Sequence, residues 1–125
     1  MIYLDTHVLV WLYEKFLDKL SKKVKNLLEK EEIFISPMVE LELDFLYEVG
    51  RLRVHGMDIV RELDVHLGVQ VSRVDFYKVI EEASHLSWTR DPFDRLIVAN
   101  AVIFQAQLIT KDKTILKHYP FSVWG

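Results

Sequence analysis

The 125 residues, half of them apolar and 28% charged, suffice for one domain, 1–125, built around a single sizeable core. A formal charge of −3 excludes a protein that coats nucleic acid by bulk attraction, because such proteins are basic. The absence of cysteine excludes disulfides, zinc–thiolate sites and thiol nucleophiles. No apolar run approaches a membrane span, and no basic region precedes the apolar start, so neither a secretory leader nor a membrane helix is expected. A cytoplasmic protein without membrane partners is the expectation.

Along the chain, short β runs alternate with longer helical runs. "IYL" (2–4) predicts a strand, and "HVLVWLYEKF" (7–16) a helix. A second helix is expected at 21–31, a strand at "IFI" (33–35), and helices at 37–49 and 57–67. Gly50 and Gly68 follow these two helices, where a left-handed capping glycine is expected. "VQVSRV" (69–74) reads as a strand, 75–86 and 92–105 as helices, and "QLIT" (107–110) as a strand. A short helix at 113–118 and a strand at "FSVW" (121–124) close the chain. Strands alternating with helices predict βαβ units and a mostly parallel sheet covered on both faces, a three-layer α/β/α sandwich.

Sites in open parallel sheets form beyond the carboxyl ends of the strands. Acids recur there. Asp5 follows the first strand, where it caps the next helix or serves as a catalytic acid. Asp112 follows "QLIT" after one lysine and is also placed to cap the helix behind it. In "TRDPFDRLIVANA" (89–101), Asp91 fits an N-cap, Pro92 the first helical position and Asp94 the third. Asp94 shares its face with Ile97, Val98 and Ala101, so it looks into the protein. On the helix at 37–49, Met38, Leu41, Phe45 and Val49 form the centre of an apolar stripe, with Leu46 at its edge. Glu40, Asp44, Tyr47 and Glu48 lie opposite, as a solvated face. Glu42 falls inside the apolar stripe. An unpaired carboxylate there is costly, so it needs either a buried basic partner or a metal or functional pocket.

Gathered carboxylates without a cation repel one another. Together they make a hard, all-oxygen site suited to Mg²⁺ or Mn²⁺. Such an ion activates water and stabilises charge on a displaced phosphodiester oxygen. Holding four acids on metal would leave the rest of the surface slightly positive, so that a phosphodiester substrate is no longer repelled. The histidines at 7, 55, 66, 85 and 118 show no zinc spacing, and a surface or capping role is expected for each.

"LDTHVLVWL", "ISPMVELEL", "RDPFDRLIVANA" and "LITKD" resemble, in order and spacing, the PIN-domain ribonucleases, above all the VapC-type toxins of toxin–antitoxin pairs. The likeness extends through "VGRLRV" (49–54) and the closing "FSVW". It implies a PIN-like α/β/α sandwich and an endoribonuclease dependent on Mg²⁺ or Mn²⁺. Its acidic site carries over onto Asp5, Glu42, Asp94 and Asp112, with Asp5 and Asp94 as primary metal ligands and Asp91 as an auxiliary acid. One departure is Leu41, where close relatives often have an aromatic before the glutamate. Thr6, Arg90, Arg95 and Lys111 are then candidates for contact with RNA, with ion pairing to the same acids as the competing role of the basic three. The helix at 7–17 is apolar on almost every face. It is either packed on two sides by its own chain or offers Trp11, Tyr13 and Phe16 to a partner. The resemblance makes that partner a small antitoxin or a second copy in a homodimer. The alternative function is a non-catalytic PIN-like module that only binds RNA or protein.

Overall fold

The computed structural model describes every residue, Met1–Gly125. In chain order the elements are β1 (Ile2–Leu4), α1 (Thr6–Tyr13), a 3₁₀ turn (Leu17–Lys19), α2 (Lys22–Lys30), β2 (Ile33–Ile35), α3 (Pro37–Glu48) and α4 (Gly56–Leu67). There follow β3 (Gln70–Val71), α5 (Phe76–Ala83), α6 (Pro92–Ile103), β4 (Gln107–Ile109), α7 (Lys113–His118) and β5 (Ser122–Val123). All expected elements are present, but most are shorter. The strand expected over 69–74 is two residues long, and α1 stops at Tyr13 because Lys15 turns to a φ of +62°. Gly50 and Gly68 do adopt positive φ behind α3 and α4.

The sheet has five parallel strands in the order β3-β2-β1-β4-β5. Where the chain steps from β1 out to β3, α1 packs with α3 and α4; where it returns past β1 to β4, α5 packs on α6, and α6 also meets α3. Right-handed crossovers, the general rule for parallel strands, place these two groups on opposite faces of the sheet. The strand order reverses between β1 and β4. At such a switch point the connections leave in opposite directions and open a crevice at the strands' carboxyl ends.

The core is a cluster of 25 buried residues centred on β1, β2 and β4, with Val8 and Leu9 of α1, Val39 and Leu43 of α3, and Ile97 and Val98 of α6. The stripe read on α3 is corrected here. Leu41, Phe45 and Val49 are 55%, 50% and 54% exposed, whereas Val39 and Leu43 are fully buried. The helix turns its other line inward because α4 closes against it. Gly56 N–H donates to Asp44 Oδ1 at 2.7 Å, and a Cβ on Gly56 would stand 2.5 Å from the Glu40 carbonyl oxygen. Only glycine permits that approach, and it fixes the start of α4 against α3.

The face that α3 leaves outside borders a recess of about 320 Å³ lined by Met38, Leu41, Val74, Phe76, Val79 and Leu96, with Ser36, Ser72 and Asn100 among its walls. No helix of the chain is long and apolar enough to cross a membrane.

Candidate metal-dependent active site

Each acid of the site is delivered by a local rule. Asp5 ends β1 and caps α1: Thr6 N–H donates to its Oδ1 at 2.8 Å. Asp91 caps α6, with Pro92 behind it, and accepts from Phe93 N–H at 2.9 Å. Asp112 caps α7 and accepts from Ile115 N–H at 3.0 Å. Asp94 lies in the first turn of α6, where the helix dipole favours its ionised form. Glu42 sits on α3 between the buried line and the exposed stripe, half-buried. These five acids line one open cleft of about 450 Å³ above the β1/β4 switch point.

Two threonines order the cluster. The Thr110 hydroxyl donates to Asp5 Oδ2 at 2.7 Å and accepts from Asp112 N–H at 3.0 Å, so β4 ties two acids together. The Thr6 hydroxyl donates to Glu42 Oε1. Thr110 is fully buried and Thr6 nearly so. The Thr6 hydroxyl and N–H are thus both committed to acids.

The electrostatics are one-sided. The terminal ammonium of Met1 pairs with Glu31, and the imidazoles of His7 and His55 approach Asp5 and Asp44 at 3.6 and 3.7 Å, pairs that are ionic only when the imidazole is protonated; none of these contacts brings a lysine or arginine to the five acids. Burial, then the charges of Asp5, Asp91, Asp112 and Glu42, push the Asp94 carboxyl up to about 7. Burial likewise raises Glu42 above the usual carboxylate range, with Asp5 and Asp91 adding to the rise and the Thr6 hydroxyl opposing it. A half-buried acid cluster that keeps a proton near neutral pH for want of a cation is matched chemically to one. The donors are all hard oxygens, as Mg²⁺ or Mn²⁺ requires. No three of them converge closely enough to form a ready-made metal cage.

The basic candidates separate. Arg95 Nε donates to the Thr89 carbonyl at 2.6 Å, and the residue lines another depression with Ile80, Ala83 and Ser84, turned from the acids by the periodicity of α6. Arg90 is exposed and forms no wall of the cleft. Lys111 stays beside it, its N–H donating to His7 Nε2 at 2.9 Å. Three polar wall residues escaped the sequence reading, and one of them, Glu14 just past the end of α1, is a sixth acid of the cleft. Arg51 reaches the cleft from the loop after α3, and His7 enters from the first turn of α1. Loop residues carry no periodicity to betray them, and a lone histidine looks like any surface one. Burial holds the His7 imidazole below its usual pKa despite the charges of Asp5 and Asp112, with Lys111 lowering it further. Of the proposed partner contacts, Trp11 forms a wall of the cleft, whereas Tyr13 lines a groove with Leu12, Leu17, Leu63 and Leu67. Phe16 lies exposed beneath Lys19.

The PIN-domain family model matches residues 2–121. The chain belongs to the PIN-domain family. Solved structures that this PIN domain resembles include VapBC2 from Rickettsia felis bound to a DNA fragment from its promoter, at 24% identity and a TM-score of 0.66, each chain covered in full. VapBC-1 from nontypeable Haemophilus influenzae gives 18% identity and a TM-score of 0.68 over all of this chain and 97% of the other. A toxin–antitoxin complex from Klebsiella pneumoniae gives 17% identity and a TM-score of 0.66, over 98% and 96%. A comparison with curated protein sequences found no match. At these identities the structural neighbours establish the fold that the PIN domain shares with them.

Proposed function

We propose that the protein is a metal-dependent endoribonuclease and the toxin of a VapBC-type pair. The observation that carries the reading is the set of five acids at the switch point with no lysine or arginine paired to any of them and only the His7 imidazole beside Asp5. A bound Mg²⁺ or Mn²⁺ supplies an activated water and charge stabilisation for the leaving oxygen. Asp5 and Asp94 would hold the ion, with Asp91 assisting from the rim. Glu42 and Asp112 would add ligands through water or orient the attacking water and take its proton, its oxygen bonding to phosphorus as the P–O bond to the leaving ribose oxygen breaks and that oxygen gains a proton from solvent. Arg51 and Lys111 face the incoming phosphates, and the buried threonines keep the acids in register.

The toxin–antitoxin neighbours support an antitoxin partner. Its apolar segment is assigned to the groove between α1 and α4, with Tyr13 as the anchor that a partner would cover. The exposed stripe of α3, continuous with Phe93 through the Phe45–Phe93 contact at 6.1 Å, is assigned to a second copy in a homodimer. The deciding experiment incubates purified protein with mixed RNAs, with Mn²⁺ or with EDTA, and reads the products. Cleavage that requires the ion supports the enzyme. Robust cleavage in excess chelator removes the metal mechanism, and RNA binding without cleavage selects the non-catalytic module.

A further inference from the structure

Beside the acids lies a cluster that the chemistry of phosphodiester hydrolysis does not use. Trp11 forms a wall of the cleft and meets Trp124 edge-on, with ring centroids 5.7 Å apart. Both rings are half-buried. Lys111 Nζ lies 5.9 Å from each ring centroid, and Lys19 Nζ lies 5.3 Å from that of Trp11. The cluster is anchored on both sides. His7 packs edge-on against Trp11 at 5.1 Å and accepts from Lys111 N–H, while the Ser21 hydroxyl at the head of α2 donates to the Trp124 carbonyl. Lys111 adjoins Asp112 in sequence, so a strand of RNA whose phosphate reaches the acids passes within reach of these rings.

We propose that Trp11 and Trp124, with Lys111 and Lys19, form a stacking subsite for an unpaired base of single-stranded RNA next to the scissile phosphate. An aromatic face takes any base, and the neighbouring ammonium groups take the flanking phosphates that the acid cluster by itself repels. Lysine heads at centroid distances under 6 Å rest on the rings by cation–π attraction. Their flexible stems let a base take the ring face while the ammonium moves to phosphate. A protein segment suits the cluster less well, because an apolar anchor would bury these ammonium groups unpaired. The groove beside Tyr13 has the drier lining. The subsite rests on the reading of the cleft as a ribonuclease site.

The test uses Asp94→Asn protein, expected to bind without turnover, and tryptophan fluorescence at fixed salt. Decauridine RNA should quench the emission. Trp124→Leu and Trp11→Leu, each added to that background, should weaken binding about tenfold or more, the scale of one stacked base, and Trp124→Tyr should recover most of the loss. A decamer of abasic ribose phosphates should bind the parent about as weakly as decauridine binds the Trp124→Leu protein. Trp88→Phe should leave the quenching in place, since Trp88 stacks on His118 instead. Lys111→Gln keeps both rings and should lower the salt dependence of binding by about one phosphate contact. Equal affinity for base-bearing and abasic decamers, or unchanged binding in folded Trp11→Leu and Trp124→Leu proteins, overturns the subsite and leaves the cluster to a protein partner. The two readings fail separately. An unsubstituted protein that cleaves no RNA with Mn²⁺ but shows base-dependent quenching loses the nuclease and keeps the subsite. One that cleaves RNA with an unaltered KM after Trp124→Leu loses the subsite alone.

Discussion

Two polar groupings lie close to α3 and α6, and they are built on opposite principles. Beside the apolar recess, the Tyr3 hydroxyl and Ser72 Oγ share a hydrogen bond of 2.7 Å, and Asn100 Nδ2 donates to the same Oγ at 3.2 Å. Donors meet acceptors, all three side chains are buried, and the trio holds β1, β3 and α6 together. In the cleft, five acids of one sign face one another, and threonine hydroxyls, helix N–H groups and the His7 imidazole beside Asp5 are their support. A network whose members satisfy each other contributes to stability. One whose members repel contributes only when something arrives to neutralise it, and so marks a place for function.

That contrast breaks most sharply at Asp94. Asp94→Asn should lower RNA cleavage by orders of magnitude, and Mn²⁺ should no longer raise the melting temperature as it does in the parent. If the variant cleaves at near-parental rate while Asp91→Ala is inactive, ligand and cap have been exchanged. The pH profile gives the next effect. Asp94 binds its proton more tightly when folded, with a pKa of about 7 against a usual 3.8. The folded chain therefore holds more protons between these values, and metal-free stability should fall as pH rises from about 4 through 7. In EDTA at pH 8 the Asn variant should melt at or above the parent, and added Mn²⁺ should release protons below pH 7. A metal-free melting temperature that rises across that window would falsify the assignment of repulsion to this cluster.

The satisfied trio predicts the reverse behaviour. Asn100→Ala should cost about 1–3 kcal/mol by leaving buried partners unmet, and it should keep the Mn²⁺ shift in melting temperature. Loss of that shift, with the fold intact, would join the two groupings that the comparison separates. The smallest effect belongs to Asp91. Removing its side chain should cost about 1 kcal/mol, as for other N-caps, and leave measurable cleavage. Denaturant melts of Asp91→Ala beside the cleavage assay check both halves.

Sequence alone determined what is local. Capping chemistry is written in short patterns, so Asp5, Asp91 and Asp112 stand at helix starts where the reading put them, with Pro92 behind Asp91 and glycines at the ends of α3 and α4. Alternation of strand and helix determined a parallel sheet, because successive parallel strands need crossovers. Glu42 was singled out by a helical wheel whose stripe proved to face outward. The residue lies between the two apolar lines and is half-buried in the cleft. What a one-dimensional pattern leaves open is which line of α3 packs inward, since both Met38–Leu41–Phe45 and Val39–Leu43 are apolar. Tertiary structure decided it through the contact of α3 with α4 at Gly56, between residues twelve or more apart in sequence. It also decided the cations. Arg95 is adjacent to Asp94 in sequence, yet neighbouring helical positions point about 100° apart, and it turns away. Arg51 is remote in sequence and arrives by a loop. The strand order that sets β1 beside β4, and with it Asp5 beside Thr110, is a pairing of residues a hundred positions apart, fixed by the packing of the whole sheet rather than by any segment of it.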